Sequence, residues 1–140
     1  MKLESLVLAE GMGQDANGAY TLIGVNQNVF SPQSLPAGTK RAVLAYFVEE
    51  PGENLEWAGK SAEVSFTVTS PTGKVLAAQT GQLSFGEKNF ADVPVALQLP
   101  NEIILQVREY GDHRIAVAVT FPDESVVKGE LTLYVRPFPG

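Results

Sequence analysis

The 140-residue chain contains no cysteine, so it can form no disulfide and perform no thiolate chemistry. A fold that needs no disulfide fits a reducing compartment. Long apolar runs are also missing: none approaches the roughly 20 residues of a transmembrane helix. The apolar stretch that follows Lys2 and Glu4 is only four residues long, too short for a signal peptide. These absences predict a cytoplasmic protein that does not bind membranes.

Positive charge is scarce and scattered. Ten basic residues stand against 16 acidic ones, for a net charge of −6, and Lys40-Arg41 is the only adjacent basic pair. Binding to nucleic acid or to an anionic membrane surface needs clustered lysine and arginine. The sequence therefore predicts no nucleic-acid partner, and the acidic balance indicates solubility.

What the chain does have is alternation of apolar and polar residues. The pattern returns in Ser61–Ser70, Asp92–Leu99, His113–Phe121 and Val127–Val135. Successive side chains of a strand face opposite ways, so this period indicates sheets with one buried and one wet face. We predict one all-β domain over residues 1–140, an antiparallel two-sheet β-sandwich of seven to nine strands, with a closed barrel as the alternative.

The alternation also predicts which side chains form the core. We expect the inward set to be Val64, Phe66, Val95, Leu97, Val117, Val119, Leu131 and Leu133.

Two segments lack the alternation and are apolar on both faces: Lys2–Ala9 and Lys40–Glu49. The strand Lys40–Glu49 is therefore expected to be central in its sheet and covered on both sides. Between them, Asp15–Gly18 contains Asn-Gly, the strongest short hairpin signal.

Three further features concern strand edges and breaks. Pro94 predicts that Asp92–Leu99 is an edge strand, because proline donates no hydrogen bond to a ladder. Gly81 suggests a β-bulge. Asn101–Tyr110 is ambiguous between a short helix, capped by Asn101 and ended by Gly111, and irregular structure.

Several segments resemble a family of small uncharacterised bacterial proteins. They are Met1–Glu10, Asp15–Gly18, Leu22–Gly24, and Tyr110–Val117, which is similar to that family's glycine–polar–aromatic turn. The resemblance implies an immunoglobulin-like or C2-like β-sandwich in a bacterial cytoplasm and implies no activity. At His113 the family pattern would have an aromatic residue, commonly tyrosine.

The only histidine lies in Asp112-His113-Arg114. A histidine next to an acid can act as a general base, but no motif places a nucleophile beside it. We interpret the segment instead as a structural corner, with Gly111 giving backbone freedom and His113 at the top of the core. No catalytic residue and no cofactor site are predicted.

Acidic residues gather in loops, as in Ca²⁺-binding sandwiches, but their spacing matches no coordination cage. We predict no metal site. Such acids occur at Asp15, Glu49, Glu50, Glu53, Glu56, Asp112, Asp123 and Glu124.

Four residues are the candidate contacts for a partner protein. Trp57 lies in a polar loop with Glu53 and Glu56, and tryptophan is enriched at binding hot spots. The alternative is that Trp57 forms a lid over the open end of the sandwich. Tyr134 is expected to point outward from the last strand, where it could mark an interface or be ordinary strand chemistry.

For function, the leading expectation is a non-enzymatic protein–protein interaction or assembly module. The alternatives are a self-assembling structural component, for which a phage origin is one option, and a small-ligand-binding or enzymatic domain using the loops near Trp57 and His113.

Overall fold

Nine β-strands and no helix make up the computed structural model, which describes residues 1–140. The strands are β1 Lys2–Gln14, β2 Tyr20–Val25, β3 Val29–Phe30, β4 Ala37–Val48, β5 Ser61–Thr69, β6 Val75–Ser84, β7 Ala96–Val107, β8 Gly111–Thr120 and β9 Val126–Val135.

The strands form two separate sheets. Sheet A has the order β2-β1-β4-β7, and sheet B has the order β3-β9-β8-β5-β6. Neither sheet closes on itself, so the predicted all-β sandwich is confirmed and the barrel alternative is wrong. All pairings are antiparallel except that between β3 and β9, which is parallel.

The core fills the space between the two sheets, and seven of the eight predicted core residues belong to it or pack against it, the exception being Val95, which lies just before β7. None of the eight residues is exposed. The buried ones are Phe66, Val117, Val119 and Leu133, while Val64, Val95, Leu97 and Leu131 are half-buried.

Local turn chemistry accounts for the first hairpin. The Asp15 carboxylate accepts hydrogen bonds from the backbone N–H groups of Asn17 and Ala19, at 2.8 and 3.0 Å. Gly18 has a φ of 85°, a conformation that glycine adopts without steric cost. The predicted Asp15–Gly18 turn thus joins β1 to β2.

Sequence reasoning was wrong about β7. This strand begins at Ala96 and continues without a break to Val107, so Asn101–Tyr110 is neither a helix nor irregular up to Val107. Pro94 lies before the strand. The edge position is nevertheless confirmed, because β7 pairs with β4 alone.

Two further details differ from expectation. Gly81 pairs regularly with Val64, and the register shift in that ladder lies instead at Val68/Thr69, near the turn into β6. Strand β3 was not predicted, because its two residues are too few to show an alternating pattern. It is held by hydrogen bonds such as the one that the N–H of Arg136 donates to the carbonyl of Phe30.

Candidate functional site

Trp57, the first predicted contact residue, packs over one end of the core. Its indole stacks on the ring of Phe121, with centroids 5.3 Å apart and an angle of 17°, and it lies 5.2 Å from the ring of Phe85. Phe121 in turn meets the edge of Phe47 at 5.7 Å. Only 6% of the Trp57 surface is exposed. This is the arrangement that the lid interpretation describes, and it leaves little indole surface for a partner.

The Trp57 loop is tied down by Glu49. Its carboxylate accepts hydrogen bonds from the N–H groups of Val95 and Leu55, at 2.7 and 2.8 Å, and Lys88 Nζ lies 3.5 Å away. These bonds hold the pKa of the Glu49 carboxyl below its usual value, because they stabilise the charged form. The loop is therefore a fixed part of the sandwich end.

Glu53 and Glu56, in the same loop, differ in their surroundings. The Glu53 carboxylate binds the N-terminal ammonium of Met1 at 2.6 Å and accepts a 2.7 Å hydrogen bond from the N–H of Glu50. The hydrogen bond from the ammonium is the main reason why the pKa of Glu53 is lowered. Glu56 is exposed and makes no ion pair.

Tyr134 lies far from that loop. It points outward from β9, is 37% exposed, and stands opposite Asp112 at the start of β8. The guanidinium of Arg136 lies 5.4 Å from its ring. Trp57 instead stacks on Phe121, at the other end of β8. Phe121 comes nine residues after Asp112, and nine residues of strand span about 30 Å. The four predicted contact residues therefore do not form one surface.

His113 occupies the structural position expected of a corner. The side chain is fully buried, and its Nδ1 lies 3.2 Å from the carbonyl oxygen of Gly111, whose φ is 126°. Nε2 has no hydrogen-bond partner. Asp112 points away and binds Arg136 at 2.7 Å instead.

The loop carboxylates serve local turns rather than one centre. Asp123 accepts hydrogen bonds from the hydroxyl and N–H groups of Ser125, at 2.6 and 3.0 Å, which lower its pKa. Glu109 accepts one from the hydroxyl of Thr72 at 2.8 Å, and its pKa is lowered for that reason. No three His, Cys, Asp or Glu side chains come together in an arrangement that could hold a metal ion.

The feature that stands out is the outward side of sheet A, here called the A face. Alternation from the core residues and the pairing register decide which side chains point there. Its apolar members are Val7, Ala9, Ile23, Val25, Ala42, Leu44, Tyr46, Val48, Ala96, Pro100 and Ile104.

The A face is continuous across the sheet. Val7, Leu44 and Pro100 stand side by side on β1, β4 and β7. The paired alanines Ala9 and Ala42 are 0% and 1% exposed although they lie outside the inter-sheet core, because larger neighbours on the same face surround them.

The margins of the A face are the most exposed. Ile104 on β7 is 77% exposed, and Ile23 and Val25 on β2 are 61% and 46% exposed. Thus β4 is central, as predicted, but only one of its two apolar sides is covered by this chain.

The outward side of sheet B, the B face, has the opposite character and serves as an internal comparison. It carries mainly hydroxyl and charged side chains, including an ion pair between Arg114 and Glu130 at 3.7 Å. Other members are Glu63, Ser65, Thr67, Thr69, Thr80, Gln82, Ser84, Thr120, Lys128 and Thr132. The B face also has exposed apolar residues, Val29, Val75, Val126 and Tyr134, which stand on β3, β6 and β9. Its strands β5 and β8 carry no outward apolar side chain larger than alanine, whereas β1 and β4 of the A face carry Val7, Leu44 and Tyr46.

Sequence reasoning missed the A face as a site, although part of its signal was visible. The unalternating segments Lys2–Ala9 and Lys40–Glu49 supply its centre. Ile104 belongs to Asn101–Tyr110, whose pattern is ambiguous between a helix and irregular structure and so does not predict an outward-facing strand residue.

Comparison of the chain with protein-family models and with curated proteins gives no match. The resemblance to small bacterial proteins therefore stays a prediction. The structure contains no helix that is long and apolar enough to cross a membrane.

Proposed function

We propose that this chain is a non-enzymatic protein–protein interaction or assembly module of the bacterial cytoplasm, and that it docks through the A face. The observation that carries the proposal is the contrast between the two outward sheet faces. An immunoglobulin-like or C2-like classification of the sandwich belongs to the same proposal, since it rests on the family resemblance alone.

The physical argument concerns the cost of leaving apolar surface in water. Burial of apolar surface contributes about 25 cal/mol per Å², and contiguous apolar patches on soluble proteins mark interaction sites. The B face has the polar composition expected of a sheet side that faces water. The A face has the composition of a sheet side that is covered, and nothing else in this chain covers it.

The Trp57 loop ranks second as a contact surface. Its indole is committed to Phe85 and Phe121, so a partner would meet mainly the polar rim around Glu56. Hot-spot residues are large side chains that become buried on binding. Ile104 and Ile23 meet that description better, because they are exposed in the free chain.

A site-specific photo-crosslinking experiment in the native host tests the proposal. A photoreactive amino acid replaces Ile104 on the A face in one strain and Thr67 on the B face in the control strain. We expect a discrete protein adduct from position 104 and none from position 67. If neither position gives an adduct, or only position 67 does, docking through the A face is wrong.

A further inference from the structure

We infer that the occupant of the A face is a second copy of this chain, so that two sheets A pack face to face and the dimer is a four-layered sandwich. The inference rests on the proposed function and adds the identity of the partner. Its support comes from the area, shape and charge of the face, and from the proline that interrupts the free edge of β7.

The area of the A face is large enough for a reversible dimer. Three strands, β1, β4 and β7, spaced about 4.8 Å apart over the nine residues from Lys40 to Val48, give about 430 Å² of flat sheet, and the six residues of β2 bring the total to about 500 Å². Two copies therefore contribute about 1,000 Å² before the relief of the side chains is counted, which is the lower limit for a biological interface.

The shape of the face also suits a second sheet. Two pleated sheets pack at about 10 Å with their inner faces interdigitating, and sheets A and B of this chain already pack in that way. On the A face, fully buried Ala9 and Ala42 provide a low centre between the exposed Ile23 and Ile104 at its margins. Two such faces interlock when the copies are displaced relative to each other, so that an isoleucine margin of each lies over the alanine centre of the other.

Charge favours an identical partner over an oppositely charged one. The charged side chains on the A face carry their own counter-ions: Lys40 binds Glu102 at 3.3 Å, and Lys2 binds Glu4 at 3.4 Å. The face is therefore nearly neutral, although the chain as a whole carries −6. A basic partner would find no acidic patch here, whereas a neutral apolar face matches itself.

The free edge of β7 favours packing through the face over pairing edge to edge. The N–H of Glu49 donates to the carbonyl of Val95, so the odd-numbered residues of β7 direct their backbone groups toward β4. The even-numbered residues direct theirs toward the open edge, and Pro100 is one of them. Because proline has no N–H, it interrupts the edge that a partner strand would need.

Sedimentation velocity of the purified full-length chain, over about 1 to 500 μM, tests the inference. We expect a reversible monomer–dimer equilibrium in the wild type. Ile104→Lys and Val25→Lys should each raise the dimer dissociation constant by about tenfold or more. The matched control Thr67→Lys, on the B face, should leave it unchanged. Circular dichroism melts should show that all three variants remain folded.

Salt provides a second readout on the wild type. The dimer should tighten as salt rises from about 0.05 to 0.5 M, because salt screens the repulsion between two acidic chains and does not weaken apolar contact. Weakening by salt would contradict an apolar, neutral interface.

The outcomes separate the inference from the function on which it rests. A monomer at every concentration, together with a crosslink from position 104 to a different protein, overturns self-pairing and leaves the interaction module standing. A dimer that Thr67→Lys disrupts and Ile104→Lys does not would overturn the choice of face. A monomer that also gives no crosslink overturns both.

Discussion

Replacing Trp57 by alanine should destabilise the fold strongly. An aromatic side chain buries about 150–250 Å², which at 25 cal/mol per Å² corresponds to roughly 4–6 kcal/mol of transfer free energy. Because 6% of Trp57 stays exposed and the site can partly collapse, we expect a loss of about 3–5 kcal/mol. For a chain of this length that is a fall in Tm of roughly 10–20 °C.

Trp57 is the only tryptophan, so the variant must be followed by far-ultraviolet circular dichroism rather than by fluorescence. Trp57→Phe is the matched control, since it keeps an aromatic ring against Phe121 and should recover about half of the loss. The lid interpretation is wrong if Trp57→Ala has the same melting temperature as the wild type but binds the partner identified by crosslinking less tightly. The indole would then serve binding.

Two further predictions test the register and the acid response. Phe66→Ala should cost about 3–5 kcal/mol and Thr67→Ala, on the B face, less than about 0.5 kcal/mol; equal falls in thermal melts would contradict the register. Glu49→Gln should cost about 1–3 kcal/mol at pH 7. The lowered pKa of Glu49 means that this stability is present above the unfolded pKa of about 4.3 and is lost as pH falls through the folded pKa. Urea melts should therefore show the difference between the wild type and Glu49→Gln shrinking as the pH falls below about 4.3, whereas a difference that stays constant with pH would refute the role of the charge.

The sequence predicted the architecture because strand alternation is a local property. A residue such as Val117 or Leu133 faces the core through its place in a period of two, and no knowledge of the partner strand is needed. The Asp15–Gly18 turn is local in the same sense, since its own side chain and glycine close it.

The errors arose where pairing partners decide the structure. Asn101 and Gly111 offered helix signals, yet β7 runs through to Val107 because it pairs with β4 along its whole length. The same ladder places Pro100 where its missing N–H costs nothing. Strand β3 exists only because it lies against β9, so two residues of sequence could not reveal it.

The candidate site was predictable only in part, and the reason is the same for both of its surfaces. The sequence around Trp57 is equally compatible with a lid over the core and with a contact residue for a partner protein. Only the positions of Phe85 and Phe121 distinguish these roles. On the A face, Leu44 belongs to β4, which is apolar on both sides. That pattern predicted that both sides of the strand would be covered.

A pattern of apolar residues states that a side chain needs cover, but it does not state which chain provides the cover. For the inner side of β4, sheet B provides it, through residues such as Phe66 and Val117. For the outer side no element of this chain does, although Ala42 and Leu44 stand there in the same strand. If a strand needs cover on both sides for the same physical reason, the missing layer has to come from outside the chain. The contrast with the hydroxyl-rich B face makes this argument specific to sheet A, because both sheets belong to one chain in one solvent.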